Sequence, residues 1–97
     1  LVQLGHKVIV LDNLSTGRLL NLNQVNNKIE FIKVDISNNK ESIYKYFDNV
    51  DWVFHMAGLA DNMLSIANPN IYFRSNVNGT LNILEASIIF FSAGLLR

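Results

Sequence analysis

Residues 7–17, KVIVLDNLSTG, are the stretch that decides the fold. Its aliphatic part runs unbroken from Val8 to Leu11 and ends abruptly at Asp12 and Asn13. A continuous apolar run is typical of a strand that is buried on both faces, as in parallel sheets covered by helices. An acid at the carboxyl end of such a strand lies where open α/β sheets bind ligands, and it can accept hydrogen bonds from a ribose. From this stretch alone, ribose binding and turn capping by Asp12 are equally open.

The composition indicates one small domain or part of a larger one. The 97 residues are 49% hydrophobic, and eight Lys and Arg balance eight Asp and Glu. This balance leaves no net charge to attract nucleic acid or an acidic membrane surface. The chain has no cysteine, which excludes disulfides and thiolate metal sites. No signal or lipidation motif is visible, and no apolar stretch reaches the roughly 20 residues of a membrane span. We therefore expect a cytoplasmic protein without a nucleic-acid, membrane or metal partner.

The order of apolar runs and polar breaks predicts a parallel sheet. Residues 29–34 and 52–54 are the second and third predicted strands, the third running into residues 55–58, and residues 40–47 form a short amphipathic helix between the two strands. No tight hairpin signal joins the strands, so the pattern is that of βαβ units. Between the first two strands we expect a loop with a helical turn at residues 19–22, capped by Ser15 or Thr16.

A long helix is predicted near the C-terminus, after an irregular linker over residues 60–67. Asn68 is a good N-cap and Pro69, the only proline, suits the first helical position. The helix extends over about 20 residues, and Gly79 within it indicates a close approach of backbone or ligand. Its apolar stripe consists of Phe73, Val77, Leu81, Leu84, Ile88 and Phe91, and the opposite, polar face consists of Arg74, Asn78, Asn82 and Glu85.

The chain begins as if inside a helix. Leu1 and Leu4 have helical spacing, and Gly5 suits the left-handed position that ends a helix. We therefore expect a fragment of a larger domain.

Polar or small residues follow each predicted strand, at what would be the ligand-binding edge of a parallel sheet. Asp35 can accept from the adenine amine, with Ile36 packed on the ring, and Ala57 and Gly58 allow a dinucleotide to approach the backbone. Asn76 in the long helix needs polar partners, and a ligand oxygen can supply one. Each residue also has a simpler interpretation: a helix cap at Asp35, a turn at residues 57–58 and a satisfied core amide at Asn76. His55 is more simply a packed core residue.

These motifs together resemble the NAD-dependent epimerase/dehydratase family of extended short-chain dehydrogenases. The resemblance covers residues 1–87 in order and is carried by GHKVIVLDNLSTG at residues 5–17, VFHMAG at residues 53–58, the loop at residues 65–69 and NVNGTLNILEA at residues 76–86.

The resemblance implies a partial, Rossmann-type, doubly wound parallel sheet that binds NAD. The cofactor-binding residues it implies are Asp12, Asn13, Leu14, Asp35, Ile36, Met56, Ala57, Gly58 and Asn76. Asp12 would bind the adenosine ribose and favour NAD over NADP, because a 2′-phosphate would meet its carboxylate. In the full-length protein the implied chemistry is transient oxidation of a nucleotide sugar, such as 4-epimerisation of a UDP-sugar, in a protein that can form a homodimer.

The departures from the family pattern imply that this chain is inactive alone. The first strand and its glycine-rich loop would precede Leu1, and the C-terminal half would follow the poorly matching residues 88–97. No residue here is catalytic, because Tyr44, Tyr46 and Tyr72 all lack a lysine at the fourth following position. The alternatives are a nucleotide-sugar 4,6-dehydratase or decarboxylase of the family, a non-catalytic NAD(P)-sensing protein and a pseudogene product.

Overall fold

Two parallel strands form the sheet of the computed structural model, which describes residues 1–95. Strand β1 (Val8–Asp12) pairs with strand β2 (Ile29–Lys33), with Val8 opposite Ile29 and Asp12 opposite Lys33. β1 is half-buried at every position, and not buried on both faces as its aliphatic sequence predicts. The parallel pairing of the two runs is confirmed, and both strand ends lie within one residue of the prediction.

The chain divides into two compact units, of which the first is Leu1–Asp35. Besides the sheet, this N-terminal unit has 3₁₀ turns at Val2–Leu4, Leu19–Leu22 and Asn26–Lys28. Gly5 ends the first turn with φ 86°, the left-handed conformation that its position predicts.

The turn at Leu19–Leu22 is confirmed, but the prediction that Ser15 or Thr16 caps it is wrong. Its N-cap is Arg18, whose side chain makes no capping hydrogen bond. A cap must directly precede the first helical residue. Ser15 and Thr16 lie too early, and the Ser15 N–H is held by Asn13 Oδ1 at 2.9 Å.

The second unit begins at Ile36 and is helical. Helix α1 (Glu41–Tyr44) continues into a 3₁₀ turn at Lys45–Phe47, and together they form the predicted amphipathic helix, with Ile43 and Phe47 buried. The remaining elements are α2 (Asn62–Ala67), α3 (Pro69–Phe73), a π-helical segment (Arg74–Asn78) and α4 (Gly79–Leu95). Within residues 1–95, no helix has the length and hydropathy that a membrane crossing requires.

The third predicted strand is wrong. Residues 52–58 have no regular secondary structure and are exposed, with Trp52 at 80% and Met56 at 90% of their full accessibility. A strand is defined by hydrogen bonds to a neighbour. β1 and β2 pair only with each other in the part of the chain that the structure describes, so this run has no strand beside it.

The irregular linker predicted over residues 60–67 contains a helix instead. Asp61 caps α2, because its Oδ1 accepts from the Leu64 N–H at 3.1 Å. The sequence carries this capping signal in Asp61, three residues before Leu64, and the prediction missed it because the helix has only six residues.

The predicted long helix is present, but the side of it that is buried is not the predicted apolar stripe. It begins at Pro69 after Asn68, although the Asn68 side chain makes no capping bond, and it continues through the π-helical segment to Leu95. The buried face consists of Gly79, Asn82, Ile83 and Ala86. Along the predicted apolar stripe, Phe73, Val77, Leu81, Leu84 and Ile88 are exposed, and the Phe91 side chain lies outside the described part.

Periodicity identified an apolar face of this helix but not the face that packs. Asn82, which we assigned to the polar side, is only 8% exposed. The small residues Gly79 and Ala86 share its side and allow close packing there, so the larger aliphatic residues are left on the opposite side.

Candidate functional site

The carboxylate of Asp12 closes a tight turn at the end of β1. Its Oδ1 accepts from the Leu14 N–H at 2.7 Å, and Leu14 has a positive φ of 61°. Its Oδ2 faces Gly17, where a Cβ would lie only 3.0 Å away. Glycine at position 17 therefore leaves room for the carboxylate. Turn capping is thus real, and it uses one oxygen, so it does not exclude a ligand at the other.

The end of β2 lies beside the end of β1. The Val34 N–H donates to the Asp12 backbone carbonyl at 3.1 Å, which extends the parallel ladder to the residue before Asp35. The structure thus brings the two predicted acidic positions, Asp12 and Asp35, to the same edge of the sheet, as the sequence predicts for parallel strands.

In the second unit, Ile36 packs against the start of α4. A Cβ built on Gly79 would lie 3.1 Å from Ile36 Cδ1 and 3.2 Å from Ile36 Cγ1. A close approach at Gly79 is therefore present, but the approaching group is the Ile36 side chain and not the backbone or ligand that the sequence predicts.

Asn82 holds the backbone of the same segment. Its Nδ2 donates to the Ile36 carbonyl at 2.7 Å and to the Asn38 carbonyl at 3.3 Å. Because the Asn82 side chain is buried, loss of these bonds would leave polar groups without partners. The helix therefore positions Ile36 through a steric contact and through hydrogen bonds.

Asn76 binds the backbone after the predicted cofactor residues Met56, Ala57 and Gly58. Its Oδ1 accepts from the Leu59 N–H at 2.8 Å, and its Nδ2 donates to the Leu59 carbonyl at 2.9 Å. The amide therefore has protein partners, as the simpler interpretation of Asn76 expected. A direct contact between Asn76 and NAD stays a prediction, and the structure shows a role in positioning Leu59.

His55 is attached to the same helix. Its Nε2 lies 2.7 Å from Thr80 Oγ1, and the Thr80 hydroxyl donates to the Asn76 carbonyl at 2.6 Å. The ring is exposed, so the expectation of a packed core histidine is wrong. Asn76 lies in the π-helical segment Arg74–Asn78, and such irregular turns are frequent at functional sites.

Comparison with protein-family profiles shows which family this chain belongs to. The profile of the NAD dependent epimerase/dehydratase family matches residues 1–90. The chain belongs to the NAD-dependent epimerase/dehydratase family.

Individual members of this family match nearly the whole chain. A putative UDP-glucose 4-epimerase from Methanocaldococcus jannaschii is 37% identical, over 97% of this chain and 32% of that protein. The solved structure of a UDP-N-acetylglucosamine 4-epimerase from Methanobrevibacter ruminantium is 34% identical with a TM-score of 0.78, over 87% of this chain and 27% of that one. The dTDP-glucose 4,6-dehydratase DesIV from Streptomyces venezuelae, solved with NAD bound, is 29% identical with a TM-score of 0.80, again over 87% and 27%.

These matches confirm the family resemblance and the Rossmann-type fold, and they confirm NAD as the cofactor of the family. The chain spans about a third or less of the length of the relatives described above. The local geometry of this chain must therefore indicate which of its residues would bind the cofactor.

In each unit, the local geometry is compatible with a part of NAD. In the first unit, Asp12 is half-buried and directs one carboxylate oxygen to the space left by Gly17, and such an oxygen can accept from a ribose hydroxyl. In the second unit, residues 56–58 are exposed, with only a methyl group at Ala57 and no side chain at Gly58, so a large ligand can approach their backbone.

Sequence reasoning missed the residues that hold these loops. Asn82 and Thr80 act through hydrogen bonds to backbone or to another side chain, and nothing in helical periodicity distinguishes them from surface polar residues. The one available signal was the clustering of Asn76, Gly79, Thr80 and Asn82 within two helical turns.

Proposed function

We propose that this chain is the NAD-binding part of a nucleotide-sugar epimerase, and that it is inactive without the rest of the enzyme. The observation that carries the proposal is the turn at Asp12, where one carboxylate oxygen is satisfied by the Leu14 N–H and the other faces Gly17. The family match over residues 1–90 supports the same assignment.

The residues of the first unit bind the adenosine end. Asp12 accepts from the ribose hydroxyls, and Asn13 and Leu14 complete the turn that fixes its carboxylate. Asp35 lies at the neighbouring strand end and accepts from the adenine amine. A carboxylate at position 12 also disfavours a 2′-phosphate, so NAD binds better than NADP.

The residues of the second unit contribute contact surface. Ile36 packs on the adenine ring, and the exposed residues Met56, Ala57 and Gly58 line the dinucleotide. Asn76 fixes this loop through Leu59 and contributes on the nicotinamide side. NAD supplies the hydride-accepting group of the reaction, and this chain supplies binding and orientation without a catalytic acid or base.

The proposed reaction is the 4-epimerisation of a UDP-sugar, because the relatives named UDP-glucose and UDP-N-acetylglucosamine 4-epimerase match the chain at 37% and 34% identity. A 4,6-dehydratase is the second candidate. DesIV, a dTDP-glucose 4,6-dehydratase, matches with a TM-score of 0.80.

The test is to express the full-length protein whose reading frame contains these residues. Bound NAD is measured after denaturation, and turnover is measured separately with UDP-glucose and with dTDP-glucose. Epimerised product from UDP-glucose supports the first candidate, and loss of water from dTDP-glucose supports the second. Absence of both turnover and bound NAD contradicts the proposal.

The proposal includes a homodimer and a cytoplasmic location. Leu81, Leu84 and Ile88 lie on one side of α4 and are 50%, 55% and 64% exposed, which gives the helix an apolar side for a second copy. Sedimentation of the full-length protein should show a dimer, and Leu84→Asp should shift it to a monomer. Fractionation of the source cells tests the location.

A further inference from the structure

The loop at residues 55–59 is attached to one helix at both of its ends. At the first end, His55 Nε2 lies 2.7 Å from Thr80 Oγ1. At the other end, Asn76 binds both the N–H and the carbonyl of Leu59. Residues 56–58 are thus bracketed by two attachments, and they are the residues assigned above to the dinucleotide.

The direction of each hydrogen bond follows from the donors that are available. The Asn76 carbonyl can only accept, so the Thr80 hydroxyl must donate its single proton there, at 2.6 Å. The Thr80 oxygen can then only accept from the imidazole. His55 must therefore carry a proton on Nε2, and in the neutral ring the lone pair lies on Nδ1.

The two attachments converge on Asn76. Its side chain holds Leu59, and its backbone carbonyl receives the Thr80 hydroxyl that orients His55. A loop that is ordered before binding loses less conformational freedom when a ligand binds, so its affinity for that ligand is higher.

We propose that His55 and Thr80 are positioning residues for NAD, with the His55 Nε2–H held by Thr80 Oγ1, so that residues 56–58 are ordered before the dinucleotide binds. This inference rests on the proposed function, since the bracketed residues are assigned to NAD there. Neither side chain needs to contact the cofactor.

The test uses four substitutions in the full-length protein, with NAD affinity measured by calorimetry. His55→Phe and Thr80→Val keep the approximate shapes and remove the hydrogen bond, and each should weaken NAD binding by about fivefold, the effect of losing one hydrogen bond. His55→Gln and Thr80→Ser keep a donor and a hydroxyl, and they should stay within about twofold of the unmodified protein. Because the two residues share one bond, the double variant His55→Phe/Thr80→Val should bind no more weakly than either single variant.

A matched control comes from the same helix. Ser87 Oγ donates to the Ile83 carbonyl at 2.8 Å, the same local type of bond that Thr80 makes, and among the described residues no loop is hydrogen-bonded to this hydroxyl. Ser87→Ala should leave NAD affinity unchanged. A loss as large as that of Thr80→Val would mean that helix stability, and not the loop, sets the affinity, and would overturn the proposal.

The second readout is the tautomer, measured by ¹⁵N NMR of the His55 ring in neutral form and assigned by its disappearance in His55→Gln. The proposal expects the proton on Nε2, and Thr80→Val should weaken that preference. Two outcomes refute the positioning role alone, provided that the unmodified protein binds NAD. One is a neutral His55 ring with its proton on Nδ1, and the other is unaltered NAD affinity in His55→Phe and Thr80→Val. An unmodified protein that does not bind NAD refutes the proposed function and the positioning role with it.

Discussion

Replacement of Gly79 by alanine tests how closely α4 approaches the segment that begins at Ile36. The new Cβ would lie 3.1 Å from Ile36 Cδ1 and 3.2 Å from Ile36 Cγ1. The optimal separation of two carbon atoms is about 3.5–4.0 Å, so Ile36 must withdraw by about half an ångström. Such overpacking typically costs about 1–3 kcal/mol. Alanine also gains about 1 kcal/mol of helix propensity over glycine. The expected net effect is a destabilisation of about 0–2 kcal/mol.

The assay is equilibrium unfolding of the full-length protein in urea, with NAD affinity measured in parallel. Ile36→Ala removes both atoms that the new methyl group would meet. The double variant Gly79→Ala/Ile36→Ala should therefore be more stable than the sum of the two single effects by about 1–3 kcal/mol.

Asn78→Ala is the control for helix propensity, since it raises the propensity at the position next to Gly79 without adding an atom. If Gly79→Ala stabilises the protein by the full 1 kcal/mol or so of helix propensity, and the cycle with Ile36→Ala is additive, the close contact is absent and the reasoning is wrong.

Three further outcomes are expected. Asn82→Ala should lower the free energy of unfolding by about 1–3 kcal/mol in a urea titration, because two backbone carbonyls lose their donor. Gly17→Ala should weaken NAD binding by about tenfold in calorimetry, because the new Cβ would lie 3.0 Å from Asp12 Oδ2 and displace the carboxylate. The pKa of Lys40 is raised from 10.5, first by its 2.9 Å hydrogen bond to Glu85 and then by the charge of Glu85. The stabilisation that the Lys40–Glu85 ion pair provides is therefore present at neutral pH and is lost as the pH rises above 10.5 through the raised pKa of Lys40. Lys40→Met should lower stability slightly at pH 7, and its difference from the unmodified protein should vanish at the alkaline end of a pH series, whereas a pH-independent difference would contradict this account.

The elements that the sequence predicts correctly are those whose signals are local. The aliphatic run from Val8 to Leu11 is followed by a polar break, and both the strand and its parallel partner are found within one residue of the prediction. Gly5 and Pro69 take the conformations that their chemistry favours. In these cases the residue types themselves decide the backbone.

The elements that are predicted wrongly from the sequence are those that depend on contacts with another part of the chain. Trp52 and its neighbours have strand composition, and they do not form a strand because no other strand lies beside them in the described chain. The face of α4 that packs is chosen by the small Gly79 and Ala86 and not by the larger aliphatic residues. Composition shows what can be buried, and packing decides what is buried.

The candidate site divides in the same way. Asp12 was predicted from its place at a strand end, and the structure shows how its turn leaves one oxygen toward Gly17. The roles of Thr80 and Asn82 were not predictable, because each acts on a segment more than 20 residues away in the chain. Only the folded chain brings these groups together.

The relative affinity of the full-length protein for NAD and NADP tests the central claim most directly. If the Asp12 carboxylate binds the adenosine ribose, the 2′-phosphate of NADP meets a like charge, and calorimetry should show NAD bound at least about tenfold more tightly. Asp12→Asn, which removes the charge and keeps the size, should reduce this preference. Tighter binding of NADP, or an equal preference before and after the substitution, would contradict the assignment of Asp12.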